Sequence, residues 1–140
     1  DEVFPAKDMN AMLQECDYVA VCAIWTNETE HLMSTEAFQN MKPSAFLINI
    51  ARGEIVDEVA LLSALETGEI AGAYLDVWED EFNRIPDPAL SAVDNVVLTP
   101  HVSQMSDVSH AFGFERFLEN LDRFLKGTTL ENIVDWTRGY

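Results

Sequence analysis

Three stretches of this chain place a chemistry-capable side chain at or beside the end of an apolar run. Arg52 follows AFLINIA (45–51), the acidic set from Asp76 to Glu81 closes AGAYLDV (71–77), and His101 follows NVVLTP (95–100). A guanidinium presents its donors in a fixed fork that matches a carboxylate. The glycine after it, Gly53, suits a tight turn. An imidazole titrates near neutrality and can pass a proton to or from a hydroxyl. If one carboxylate among Glu79, Asp80 and Glu81 accepts a hydrogen bond from His101, it fixes the ring's tautomer and favours its charged form. Asp76 lies within its apolar run, where a carboxylate is costly unless it is paired or faces a ligand.

Taken singly, each residue also has a plainer explanation. An arginine at position 52 can be structural, bound to Asp57 or to a helix end. Three consecutive acids are usually a solvated face. His31 and His110 read as surface or satisfied residues, and His101 differs from them only in standing at the mouth of a strand.

The elements that must position these groups are four apolar runs: YVAVCAI (18–24), AFLINIA (45–51), AGAYLDV (71–77) and NVVLTP (95–100). Most lack alternation, the pattern of strands buried on both faces in a parallel sheet. Helix patterns lie between them. Asp8 can cap a short helix carrying Met9, Met12 and Leu13, and Ser34 one with Phe38 and Met41 inward. Asp57 can start a third, with Leu61, Leu62 and Leu65 on one side and Gly68 as its stop. A long amphipathic helix over 106–126 carries Val108, Ala111, Phe117, Leu118, Leu121 and Leu125 at helical spacing before Gly127. Residues 79–90 read as a loop, and the tail has no partner for Ile133, Val134 and Trp136. Strand alternating with helix gives an α/β sheet. In such sheets ligands bind at the carboxyl ends of the strands, which is where Arg52, the acidic set and His101 fall.

Composition narrows the partners. Against 25 acidic residues stand 8 basic ones, a formal charge of −17 that repels nucleic-acid phosphates and anionic lipid. A salt-adapted source and an ordinary acidic cytosolic protein explain that charge equally well. Cys16 and Cys22 suggest neither a disulfide framework nor a metal site, but two reduced thiols. No apolar run approaches the ~18 residues of a membrane span, and the first residues are unlike a signal peptide. A cytoplasmic protein is the expectation.

The run LINIARGEIVDEVALLSAL (47–65) is similar to the signature around the substrate-binding arginine of the D-isomer-specific 2-hydroxyacid dehydrogenases. AGAYLDVWEDE (71–81) resembles the signature that follows it, NVVLTPH (95–101) the histidine segment, and WTNETEHLMSTEAFQNMK (25–42) the stretch before the arginine. The resemblance runs from about residue 8 to residue 127.

It implies a partial Rossmann-like domain over 1–127, a parallel sheet with flanking helices that ends in a long helix. A tail over 128–140 would return toward an absent substrate domain. Arg52 matches the arginine that holds the substrate carboxylate, His101 the general acid/base, and Glu81 its carboxylate partner. Asp76 matches the aspartate near the nicotinamide carboxamide. Ala23, Ile50 and Ala51 fall where family backbone lines the cofactor, with Arg52 and His101 also facing it. The cofactor implied is NAD or NADP, the substrate a 2-keto acid or D-2-hydroxy acid, and the full-length enzyme a homodimer.

Ile24 and Phe82 stand where the family usually or often has proline, and Ser103 and Gln104 replace small residues; these departures bear on subfamily and substrate. The family's G-x-G-x-x-G loop is absent from this chain and is expected upstream of Asp1. The chain alone is therefore expected to be an inactive fragment. A rival on the same fold is an NAD(H)-sensing or corepressor-like module without turnover, since fold alone does not separate the two. The complete Arg52, Glu81 and His101 set favours the enzyme, because a sensor has no need of a proton donor. A structural domain without a ligand leaves the polar strand ends unexplained.

Overall fold

The computed structural model describes residues 2–106 and 109–137, with the side chains of residues 109 and 110 excepted. Val108 and the His110 side chain, which figure in the expectations above, therefore lie outside the described residues. The chain forms two compact units, Asp1–His101 and Val102–Tyr140.

The first unit is a four-stranded parallel sheet in the order β1-β2-β3-β4: β1 (Tyr18–Val21), β2 (Phe46–Asn49), β3 (Gly72–Leu75) and β4 (Val96–Leu98). The expected α/β class holds, with helices between the strands: α1 (Met9–Glu15), α2 (Thr35–Gln39), α3 (Glu58–Thr67) and α4 (Pro88–Ser91). Strand register puts Val19, Val21, Leu47, Asn49, Ala73 and Leu75 on one face. All of them are buried, and Leu13, Phe38, Ile55 and Leu61 join the same core at zero exposure. Each such side chain contributes about 1.5–3 kcal/mol by leaving water.

The opposite face is uncovered within these 140 residues. Tyr18 is 69% exposed, Phe46 38% and Val97 56%. Tyr18 and Phe46, paired in register, stack on each other at 5.9 Å. Their apolar character hides the alternation, because aromatic and β-branched residues suit a half-exposed pleat as well as a buried one.

The strands are also shorter than the apolar runs. β1 stops at Val21 and β2 at Asn49, so Cys22–Trp25 and Ile50–Ala51 leave the sheet instead of extending it.

Capping matches expectation at one helix start out of three. Asp57 accepts a hydrogen bond from the Ala60 N–H at 3.0 Å and starts α3, which Gly68 ends in the left-handed conformation at φ 74°. Asp8 and Ser34 occupy N-cap positions without a side-chain cap. At Asp8 the reason is visible. A 3-10 turn, Ala6–Asp8, runs directly into α1, and the Met9 N–H already bonds to the Ala6 carbonyl.

The second unit holds α5 (Ser109–Leu125) and the tail. Gly127, at φ 66°, turns the chain back. Glu131 then meets Arg116 and Arg123, while Asn120 bonds the Glu131 backbone in both directions at 2.9 and 3.0 Å. The tail thus has a partner the sequence did not suggest, on the polar side of α5. Ile133, Val134 and Trp136 remain exposed.

Candidate active site

At the carboxyl end of β2, Asn49 is fully buried. Its amide donates to the Arg52 carbonyl at 2.9 Å and accepts from the Ala51 N–H at 3.0 Å, closing residues 50–52 into a small loop. Arg52 leaves this loop in extended conformation, φ −142°, and is exposed. One guanidinium nitrogen bonds the Ala51 carbonyl at 2.6 Å. Among the described residues no carboxylate lies within ion-pair distance of it, and Asp57 serves α3 instead. The fork is held from behind and open in front.

Gly53 begins a tight 3-10 turn, Gly53–Ile55, as expected, but without a positive φ, so a second constraint singles out glycine here. A Cβ there would stand 1.9 Å from the Trp78 carbonyl carbon and 2.2 Å from the Glu79 nitrogen. The Arg52 segment and the segment after β3 pass backbone against backbone at this glycine.

His101 follows β4 at φ 52°, a left-handed conformation that a non-glycine residue rarely adopts and that clusters at functional sites. Its backbone N–H holds that geometry by bonding to the carbonyls of Asp76 at 2.8 Å and Thr99 at 3.1 Å. The ring Nδ1 lies 2.9 Å from Glu81 Oε1. The Glu81 side chain is 8% exposed and the His101 side chain 26%, so the carboxylate sits beneath and the ring reaches outward. Among the described residues Nε2 has no hydrogen-bond partner. Phe82, 84% exposed, stands with its ring 6.5 Å from the imidazole.

Of the other acids, Glu79 lies 4.0 Å from His31 and 3.9 Å from Arg84, and Asp80 bonds the Asn83 side chain at 2.6 Å. Asp76 is fully buried, and its Oδ1 accepts from the Thr99 hydroxyl at 2.5 Å. Tyr74 extends this chain, its hydroxyl 2.8 Å from Thr99 Oγ1.

A cleft of about 370 Å³ opens beyond the ends of β1 and β2, lined by Cys22, Ala23, Ile24, Trp25, Ile50, Ala51 and Arg52. The lining is mostly apolar, with Arg52 its one cation. Cys22, read from sequence as a strand residue, is exposed in this wall, and both cysteines are free thiols. Among the described residues no cluster of histidine, cysteine or acidic groups could hold a metal, and no helix is long and apolar enough to cross a membrane.

Residues 1–103 match the family described as D-isomer specific 2-hydroxyacid dehydrogenase, NAD binding domain. The chain belongs to this family. It is 40% identical over 137 residues to a glyoxylate/hydroxypyruvate reductase B from Shigella boydii, covering 96% of this chain and 42% of that protein. To a probable 2-ketogluconate reductase of Dictyostelium discoideum it is 41% identical over 138 residues, 96% and 41% of the two chains. Among solved structures it superposes with a TM-score of 0.84 on a D-isomer specific 2-hydroxyacid dehydrogenase from Xanthobacter autotrophicus crystallised with NADPH and MES. That match is 37% identical and covers 96% of this chain and 54% of the other. A glyoxylate/hydroxypyruvate reductase from Sinorhizobium meliloti, in complex with NADP and sulfate, gives a TM-score of 0.86 at 30% identity, over 99% and 45%. The chain spans about two fifths of the length of the curated relatives it matches.

Within this family domain, the structure brings Glu81 and His101 into contact and sets Arg52 two strands away, at the end of β2. Neighbouring strands lie about 4.8 Å apart, so the two strand ends are separated by roughly 10 Å. Ala23, Ile50 and Ala51 line the cleft next to Arg52. Sequence reasoning passed over Asn49, Thr99 and Glu58. Asn49 had a signal, since an amide within LINIA must find partners once buried.

Proposed function

We propose that this chain supplies the acid/base and carboxylate-binding half of an NAD(P)-dependent D-2-hydroxyacid dehydrogenase. What supports the reading most is the His101–Glu81 pair, whose Nδ1 contact leaves Nε2 free for a substrate oxygen. In keto-acid reduction Arg52 clamps the carboxylate of the substrate and stabilises the negative charge that grows on its carbonyl oxygen. Protonated His101 gives its proton from Nε2 to that oxygen. Glu81 keeps the ring oriented, with Nδ1 as the hydrogen-bonded nitrogen. A bound nicotinamide dinucleotide supplies or accepts the hydride. Ala23, Ile50 and Ala51 would border it in the cleft, with Arg52 and His101 at the reacting end. Asp76, read as the aspartate near the carboxamide, is fully buried here, so contact with a ligand would need local opening.

The substrates named for the relatives, glyoxylate, hydroxypyruvate and 2-ketogluconate, set the panel to try first. The proposal includes the domain assignment of 1–127 with a separate tail over 128–140 and a homodimer of the whole protein. It includes a cytoplasmic location and no nucleic-acid partner, given the −17 charge. Residues 1–140 contain no G-x-G-x-x-G loop, so alone they should turn nothing over.

The test is consumption of NADH and NADPH by the whole protein with that panel. Turnover that disappears in His101→Gln supports the proposal. Dinucleotide binding without turnover of any keto acid overturns it in favour of a sensing module.

A further inference from the structure

We propose that Glu58 is a positioning residue for the Glu81–His101 pair, fixing from the Arg52 side the loop on which Glu81 stands. The inference rests on the reading above and adds a residue outside the reacting set.

Residues 78–84 have neither strand nor helix, and Asp80, Phe82 and Asn83 are exposed, so apolar packing does not hold them. The Asn83 and Arg84 N–H groups close a turn on the Asp80 carbonyl at 2.9 and 3.1 Å, and one carboxylate from outside the loop ties down both of its ends. Glu58 Oε1 accepts from the Glu79 N–H at 2.8 Å, and Glu58 Oε2 accepts from the Arg84 guanidinium at 2.5 Å. Glu79 and Arg84 flank Glu81 on either side, so both feet of the loop stand on the same side chain. That side chain is only 12% exposed. The Trp78 indole N–H closes the loop by donating to the Arg84 carbonyl at 2.9 Å, and Glu54 accepts from the Asp80 N–H at 3.2 Å.

An acid in the first turn of a helix is ordinarily explained by the helix dipole or by capping. Here Asp57 already caps α3, and the Glu58 carboxylate is turned to the loop. The hydrogen bond that Arg84 donates to Glu58 raises the guanidinium pKa above its ordinary value. Glu58 lies six residues after Arg52 and five after Gly53, whose backbone passes against that of Trp78 and Glu79. One bracket thus sets the spacing between the carboxylate clamp and the acid/base pair.

The test compares Glu58→Ala, Glu58→Gln and Arg84→Gln in the whole protein. The readouts are kcat/KM against pH for keto-acid reduction, dinucleotide affinity, and nitrogen NMR of the His101 ring during a pH titration. Glu58→Ala should lower kcat/KM about 10- to 100-fold, the cost of a misplacement near 1 Å. It should also change the ring-nitrogen signals of His101, as Glu81→Gln would, and leave dinucleotide affinity nearly unchanged. Glu58→Gln, which keeps the acceptor for Glu79, should fall between Glu58→Ala and wild type. In a Glu81→Gln background, Glu58→Ala should add no further loss of kcat/KM and no further change at the ring. A Glu58→Ala protein that melts earlier but keeps the wild-type profile and ring titration would overturn the proposal and leave Glu58 a stability residue. Should that variant not fold, Glu58→Gln and Arg84→Gln carry the same criteria. If the wild type turns over no keto acid, the functional reading fails separately. The ring titration still tests the link between Glu58 and His101.

Discussion

Glu81 and His101 are joined by a 2.9 Å contact at Nδ1, and the carboxylate is the more buried partner, 8% against 26% exposure. The contact fixes Nδ1 against the carboxylate, and keto-acid reduction uses Nε2 of the charged ring as its proton donor. Glu81→Gln keeps the shape and removes the charge. With the ring no longer held by a charge-assisted bond, kcat/KM should fall about 10- to 100-fold in reduction and in oxidation alike. His101→Gln should cost ~10²–10⁴-fold in rate. A Glu81→Gln protein with wild-type kcat/KM would mean that the contact does not govern proton transfer.

Among the described residues, the Arg52 guanidinium has only the Ala51 carbonyl as a partner. A carboxylate gripped by two charged hydrogen bonds, each worth about 1.5–3 kcal/mol, should lose much of that grip when the fork becomes a point charge. Arg52→Lys is therefore expected to lose on the order of 10²-fold or more in kcat/KM, with NADH affinity little changed. Steady-state kinetics beside a binding titration separate the two effects. An unimpaired lysine variant would rule the clamp out.

At Gly53 a methyl group would enter the Trp78–Glu79 backbone, which cannot rotate away as a side chain can. Gly53→Ala should destabilise the protein by about 1–3 kcal/mol or more. It should also depress kcat/KM, because the Arg52 and Glu81 segments are pushed apart. Gly68→Ala is the control. It is strained by its positive φ but meets nothing within 4 Å, so it should cost about 1 kcal/mol of stability and leave kinetics alone. Equal kinetic losses in the two variants would show that close approach at Gly53 is not what matters.

These relationships mark what was legible in the sequence. The strand ends carrying Arg52, Glu81 and His101 could be read because an apolar run that stops at a charged or titratable residue has few explanations. The strand lengths could not, since Cys22–Trp25 and Ile50–Ala51 are apolar for the cleft rather than for the sheet. Glu58 was hidden because a first-turn acid already has an ordinary role, and only the loop's position reveals the second one. Gly53 could be read for the turn it begins, but sequence cannot show which backbone passes beside it.

Asp76, the fully buried carboxylate at the end of β3, rests on a hydroxyl chain: Thr99 bonds to its Oδ1 at 2.5 Å and Tyr74 bonds to Thr99 at 2.8 Å. Thr99 donates to Asp76, which uses its one proton, so the Tyr74 hydroxyl must donate to Thr99. Thr99→Val keeps the shape and deletes the donor, leaving the buried charge one bond short. The expected cost is about 1.5–3 kcal/mol, the worth of a hydrogen bond to a charged group. For a chain of this size that corresponds to a fall of roughly 5–12 °C in Tm. Tyr74→Phe removes a neutral bond one step further out and should cost only about 0.5–1.5 kcal/mol. Thr99→Ser, which restores the donor, should recover most of the loss. Because the Asp76 carbonyl also accepts from the His101 N–H, the valine variant should disturb the His101 ring resonances in an NMR spectrum, whereas Tyr74→Phe should barely move them. A Thr99→Val protein as stable as wild type would mean that Asp76 is satisfied without this hydroxyl, and that the chain through Tyr74 does not hold the strand end.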